Sequence, residues 1–231
     1  MNREDLLKNI AEWQARVADA SAKWGGAEIC GVSKTIDPET INLAWDGGIR
    51  TLGENRVQEL LGKLDQLNPN YKIHLIGQLQ TNKVKYIIDK VDMIQSLDRE
   101  ALAVEIDRRA RAAGVVMPVL VQVNIAREPQ KAGIDEDALL PFLHKLSEMQ
   151  GLRVEGLMAI MPIAEDPEAV RPFFRRMRTW FERLRDMNIP NARMNTLSMG
   201  MTDDALVACQ EGATMVRLGR ALFGARSYNI Q

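Results

Sequence analysis

The sequence predicts an α/β fold, a single (β/α)8 TIM barrel with an extra helix at its N-terminus. Three observations predict it. Short β-branched and apolar runs alternate with amphipathic stretches along nearly the whole chain, which demands parallel strands joined by crossover helices. Eight such strands in 231 residues close most simply into a ring. The competing doubly wound open sheet usually has fewer strands and a glycine-rich first turn, and the first turn here, Ser33-Lys34-Thr35, contains no glycine. The chain reads as one domain: an N-terminal helix over 1–26, the barrel over 27–224 and a short tail over 225–231.

Each element has a local reason. From Asp5 to Trp24, Leu6, Ile10, Trp13, Val17 and Ala20 recur at helical steps, and Gly25-Gly26 ends the run. A first strand, Glu28–Lys34, leads through Asp37 as N-cap and Pro38 at the first helical position into a helix that stops at Gly47-Gly48. Strand Arg50–Asn55, helix Val57–Leu67 and strand Lys72–Ile76 follow, then a short helix near Asn82–Asp89 and strand Asp92–Leu97. Asp98 reads as the cap of a helix over Arg99–Ala113, with Gly114 as its stop. Next come strand Pro118–Ile125, helix Glu136–Met149 and strand Arg153–Ile160. Asp166-Pro167 starts a helix that runs to about Met187. Strand Asn195–Met199, helix Asp203–Glu211 and strand Thr214–Leu218 complete the order.

Composition narrows the function. Thirty basic residues against thirty-one acidic ones give a net charge of −1, which offers no general attraction for nucleic acid. Cys30 and Cys209 lie far apart and match no metal spacing, and His74 and His144 are the only histidines. They point to a reducing compartment and away from a disulfide framework or a histidine-rich metal site. The charged start, Met1 to Asp5, leads into no apolar signal segment, and the most apolar stretch, Val115 to Ile125, is too short and too interrupted to span a bilayer. The expectation is a cytoplasmic protein, monomeric rather than dimeric, with neither nucleic acid nor membrane as partner.

Strand faces locate the chemistry. In Val121 to Ile125 the β-branched residues should face the outer helices while Gln122 and Asn124 point inward. In the last strand Val216 and Leu218 face outward and Met215 and Arg217 inward. A buried arginine needs a partner, and two accounts fit: an internal carboxylate such as Glu155, or a ligand. Lys34, at the carboxyl end of the first strand, sits where barrels keep their chemistry. A desolvated lysine near a second cation such as Arg217 loses pKa and can condense with an aldehyde. Two stretches can hold a phosphate: Thr196 to Asp204, a strand, turn and helix start, and Arg217 to Gly224, where Gly219 lets a ligand approach the backbone. Both follow the last two strands, the usual phosphate position in such barrels. Asn55 ends the second strand and can bond a ring hydroxyl. His74 reads as a hydrogen-bonded core residue, and Met158, Met161, Met199 and Met201 as adaptable packing near strand ends. Lys83 and Lys131 read as solvated charges near the same rim.

These motifs together resemble the pyridoxal 5′-phosphate homeostasis proteins. The resemblance rests on Gly31-Val32-Ser33-Lys34-Thr35, Gly53-Glu54-Asn55 and the run from His74 to Lys83, His-Leu-Ile-Gly-Gln-Leu-Gln-Thr-Asn-Lys. It continues through Lys131-Ala132-Gly133-Ile134, Gly156 to Ile160, Leu197-Ser198-Met199-Gly200-Met201-Thr202-Asp203-Asp204 and Val216-Arg217-Leu218-Gly219 with Phe223-Gly224, in order along the chain. The resemblance implies the barrel of the alanine racemase N-terminal domain, fold type III of the pyridoxal phosphate proteins. It implies that Lys34 holds the cofactor as an internal aldimine and that Arg217 faces the pyridine nitrogen. Ser198, Gly219 and the backbone of Arg220 match the phosphate cradle, with Thr202 nearby in place of the serine of many relatives. Asn55 and Met158 match ring neighbours. A second, weaker cofactor site near Lys83 or Lys131 is a further expectation.

Carrier and enzyme separate on physical grounds. A racemase needs an electron sink and two bases, usually a lysine and a tyrosine; alanine racemase brings its tyrosine from a second domain and a dimer partner. The chain has seven residues after Gly224, and none of Tyr71, Tyr86 and Tyr228 ends a barrel strand. An arginine beside the pyridine nitrogen also disfavours its protonation and weakens the sink. The expectation is a non-catalytic carrier that buffers pyridoxal phosphate or delivers it to apo-enzymes, with indirect effects on amino-acid and keto-acid metabolism. A slow racemase, an interaction protein that handles pyridoxal enzymes, and a phosphate-sugar barrel enzyme are the alternatives.

Overall fold

The computed structural model describes residues 1–224, so the expected tail over 225–231, with Tyr228, lies outside the described residues. Eight parallel strands form a closed ring in chain order. They are β1 (Glu28–Val32), β2 (Thr51–Glu54), β3 (Lys72–Leu75), β4 (Met93–Leu97), β5 (Met117–Gln122), β6 (Leu152–Met158), β7 (Ala192–Ser198) and β8 (Met215–Leu218). The ring closes where β8 pairs with β1, setting Ile29 opposite Val216 and Cys30 opposite Arg217.

The helices are α1 (Arg3–Ser21), α2 (Pro38–Asp46), α3 (Val57–Lys63), α4 (Glu100–Ala113), α5 (Leu139–Leu146), α6 (Arg171–Asp186), α7 (Ala205–Gln210) and α8 (Arg220–Phe223). Helix α1 buries Leu6, Ile10 and Val17 and packs on α2, α7 and α8, across the seam where the ring closes. Asp37 caps α2 as expected, accepting from the Thr40 N–H at 2.8 Å, with Pro38 at the first position. The outward residues Val121, Val123, Val216 and Leu218 join the apolar layer between ring and helices.

Several boundaries differ from the sequence reading. Strand β1 ends at Val32, so Lys34 lies on a turn, Ser33–Ile36, closed by the Ile36 N–H on Ser33 O at 3.2 Å. The segment expected as a helix over Asn82–Asp89 is a 3₁₀ turn over Thr81–Tyr86. Asp98 does not cap α4; it pairs with Arg99, which also donates to Leu79 O at 2.7 Å. Helices α3, α5 and α6 are shorter than their apolar patterns, with 3₁₀ turns at Leu64–Gln66, Glu136–Ala138 and Pro167–Val170 taking up the remainder. Helix α8 was not expected. Among the described residues no helix is long and apolar enough to cross a membrane, and no cluster of three or more His, Cys, Asp or Glu could hold a metal ion.

Candidate functional site

The inward faces of the strands lead upward to one cleft at the carboxyl ends of the barrel. Val32 and Lys34 from the end of β1, Met201, Thr202 and Asp203 from the loop after β7, and Arg217, Gly219 and Arg220 from β8 and the start of α8 line a cavity of about 210 Å³. An ion pair between Arg220 and Asp203 at 2.8 Å joins residues of the two loops that form its lip. Five of the residues singled out in the sequence, Lys34, Thr202, Arg217, Gly219 and Arg220, are thereby brought together.

Arg217 is 3% exposed, and Glu155, the carboxylate offered as its partner, is not the group it meets. Its guanidinium donates to Ser198 Oγ at 2.7 Å and to Ala159 O at 2.8 Å, while Glu155 pairs with Arg153 and accepts from Asn195 at 2.8 Å. Burial lowers the Arg217 pKa to about 10, which still leaves it charged at neutral pH. The Cys30 thiol in register with it is pushed up to about 12 by burial, so it stays protonated against the pull of the arginine. Ser198 is fully buried and its hydroxyl is committed on both sides, accepting from Arg217 and donating to Gln95 Oε1 at 2.7 Å. The Ser198 hydroxyl therefore stands beneath the cleft, where it orients the arginine; the lining itself comes from the loop that follows it.

Gln95 continues the chain of bonds to His74 Nδ1 at 2.9 Å. Burial, with help from Lys72, holds the His74 pKa down to about 4, so this is a neutral, satisfied core histidine, as the sequence suggested. Gln95 is a part of the site that sequence reasoning missed; an isolated glutamine in an apolar strand is the only local signal it carries.

Gly219 bears on whether the cleft suits a small ligand. A Cβ built at Gly219 would lie 3.4 Å from Val32 Cβ, in ordinary contact, and its backbone φ is −111°. Neither packing nor conformation requires glycine there, so its value is the room it leaves in a cleft it helps to line. Asn55, at the end of β2, has a buried Oδ1 without a hydrogen-bond partner, the kind of orphan acceptor that a bound hydroxyl or water satisfies. Asn55 and Met158 do not line the cleft themselves; Met158 is fully buried on β6, in register with Ser198.

The inward residues Gln122 and Asn124 are occupied by the loop above β5, donating to Ala132 O at 3.0 Å and to Glu128 O at 2.8 Å. Lys131 is held by Glu128 at 2.5 Å and by Met161 O at 2.8 Å, and Lys83 sits over the Tyr86 ring; neither shares the cleft with Lys34. Tyr71 donates to Ile41 O at 2.7 Å, away from the cleft, and Tyr86 is exposed outside it.

A family model described as alanine racemase, N-terminal domain, matches residues 3–227. A pyridoxal phosphate homeostasis protein of Aquifex aeolicus is 42% identical over 234 residues, covering 99% of this chain and 100% of its own. Among solved structures, an unknown protein from Bifidobacterium adolescentis superposes with a TM-score of 0.90 at 32% identity, covering 96% of this chain and 95% of its own. PipY of Synechococcus elongatus, solved with PLP bound, superposes with a TM-score of 0.85 at 33% identity over 95% of this chain and 100% of its own. Matches of this extent place the chain in the pyridoxal phosphate homeostasis protein family, with the fold of the alanine racemase N-terminal domain.

Proposed function

We propose that this protein binds pyridoxal 5′-phosphate in the cleft at the mouth of the barrel and serves cofactor homeostasis in the cytoplasm, as a carrier and not as an enzyme. The observation that carries the reading is the convergence of Lys34, Thr202, Arg217, Gly219 and Arg220 on one cavity, drawn from three separate stretches of chain. The names of the full-length relatives and the cofactor bound to PipY support it.

When bound, the cofactor supplies an aldehyde that a lysine amine condenses with, releasing water. Lys34 is the residue that offers this amine and tethers the cofactor as an imine. Thr202, Gly219 and the backbone of Arg220 cradle the phosphate with neutral donors. Ser198, assigned to that cradle by resemblance, acts one step back by holding Arg217. Arg217 faces the pyridine nitrogen; Asn55 and Met158, matched to ring neighbours by resemblance, stand behind the cleft and not in its lining. As a lasting cation beside that nitrogen, Arg217 opposes its protonation and so limits the electron sink on which racemisation depends. Among the described residues no tyrosine lines the cleft to act as a second base. A cleft that holds the cofactor by a reversible bond, without machinery to use it, suits storage and transfer to apo-enzymes.

Borohydride reduction of the pyridoxal phosphate-loaded protein, followed by peptide mapping, tests the site. The expected label is on Lys34 and is lost in Lys34→Ala; a label on another lysine, or none, would overturn the assignment. Turnover of alanine or serine enantiomers by the loaded protein would overturn the carrier reading.

A further inference from the structure

Behind the Lys34 turn lies a buried group of charges that the binding site does not itself use. Lys63, at the end of α3, has a side chain only 7% exposed and three acceptors. They are Glu54 Oε1 at 2.7 Å, Ser33 O at 2.8 Å and Glu59 Oε1 at 3.2 Å. Glu54 Oε1 also accepts from Ser33 Oγ at 2.5 Å, and Glu59 Oε1 accepts from the Thr35 N–H at 2.5 Å.

The pattern is specific. Ser33 O belongs to the peptide unit before Lys34 Cα, and the Thr35 N–H belongs to the unit after it. One is gripped by an ammonium and the other by a carboxylate, each the correct charge for the group it holds. With both flanking peptide planes held, the two backbone dihedrals of Lys34 are fixed, and with them the direction of its Cα–Cβ bond. The same turn places Thr35 at φ 64°, a conformation β-branched residues avoid. Such strain persists only where the surroundings over-determine it, and it gathers at sites that need a set geometry.

We propose that Lys63, Glu54 and Glu59 form a charge clamp whose role is to aim the Lys34 amine into the cleft; they are positioning residues for cofactor capture. A merely structural account fits poorly. Buried ion pairs lose in desolvation much of what they gain in attraction, and apolar residues of the same volume would hold α3 to the ring as well. Here Glu54 is fully buried and its second oxygen has no hydrogen-bond partner, so the pair is not optimised for stability. Burial pushes its carboxyl up, against the pull of Lys63 and Ser33. What the arrangement does supply is direction.

This inference rests on Lys34 being the residue that captures pyridoxal phosphate, and the test keeps the two claims apart. The variants are Glu59→Ala, Glu59→Gln, the neutral pair Lys63→Met with Glu54→Gln, and Lys34→Ala. Each is titrated with pyridoxal 5′-phosphate, followed by the visible band of the lysine-bound cofactor and by the rate of borohydride trapping, with the melting curve of the cofactor-free protein as a check on folding. Glu59 is 26% exposed at its side chain, so Glu59→Ala keeps the fold even where the buried pair does not tolerate replacement. We expect trapping at Lys34 to slow roughly ten- to a hundredfold in Glu59→Ala and in the neutral pair, as misplacement of a reacting group by about 1 Å does. Glu59→Gln, which keeps an acceptor for the Thr35 N–H, should restore most of the rate. Wild-type trapping and affinity in Glu59→Ala, with label lost only in Lys34→Ala, would overturn the clamp and leave the site standing. Undiminished lysine labelling in Lys34→Ala would overturn the site and the clamp with it.

Discussion

Inside the ring the hydrogen bonds run in one direction. Arg217 donates to Ser198, Ser198 donates to Gln95 Oε1, and Gln95 Nε2 donates to His74 Nδ1. Each acceptor except the last passes a donor onward, so the guanidinium is oriented by a chain that ends on a neutral imidazole. Protonating His74 would set a donor against the Gln95 amide and add a second buried cation below Arg217. The consequence for stability has a definite sign. Above about pH 6.5 the histidine is neutral folded and unfolded and contributes no pH dependence. Between that pH and the folded value of about 4, the unfolded chain binds a proton that the native state refuses, so stability falls as pH falls. His74→Asn keeps an acceptor for Gln95 and removes the titration. Urea unfolding at pH 7 and pH 5 should show the wild type losing about 2 kcal/mol more than this variant. Equal losses would mean that His74 is not held neutral.

At the scale of the elements, β6 shows how a local irregularity sets the site. Its register shifts between Val119 and Leu120 on the β5 side and between Val154 and Gly156 on the β7 side. Gly156 sits there with φ 151°, and a Cβ on it would fall 1.8 Å from Thr196 O. No rotamer relieves a clash between backbones, so Gly156→Ala should cost about 3 kcal/mol or more, read as a lowered denaturation midpoint at unchanged slope. A loss below about 1 kcal/mol would show that the strands can slip to accommodate it. Helix starts and stops such as Asp37-Pro38 and Gly114 are local signals, and the order of all eight strands was legible from them together with the apolar periodicity. Glu155 could be read as a partner for Arg217, but it has nearer ones, Arg153 two residues before it on the same face of β6 and Asn195 on β7, and Arg217 takes the carbonyl of Ala159 instead. Lys34, Arg217 and Gly219 were legible because strand ends in a barrel are where chemistry collects. Lys63 was not, because a Glu59–Lys63 spacing of four on a helix looks like an ordinary solvated pair, and its buried partners lie on β2 and in the turn after β1.

At the scale of the whole molecule, the cleft exists only because the ring is closed. Lys34 follows the first strand and Arg217 lies on the last, and they share a cavity because β8 pairs with β1 and α1 packs on α2 and α8 over that seam. An opened or unfolded barrel separates Lys34, the loops after β7 and β8 and Arg217, and so takes the cleft apart. A ligand that binds only the native state stabilises it by mass action, and at a hundred times its dissociation constant the gain is about 2.7 kcal/mol. For a chain of this length that corresponds to a rise in melting temperature of roughly 5–10 °C. Pyridoxal 5′-phosphate should produce this rise in the wild type, and a clearly smaller one in Lys34→Ala at the same concentration, since that variant removes the proposed tether and keeps the proposed phosphate cradle. Amide exchange adds a spatial readout: protection gained on loading should be largest in β1 and β8, the strands whose separation would dismantle the cleft. An equal rise in both proteins, or protection confined to strands far from the seam, would mean that the cofactor binds somewhere other than across the closure of the ring.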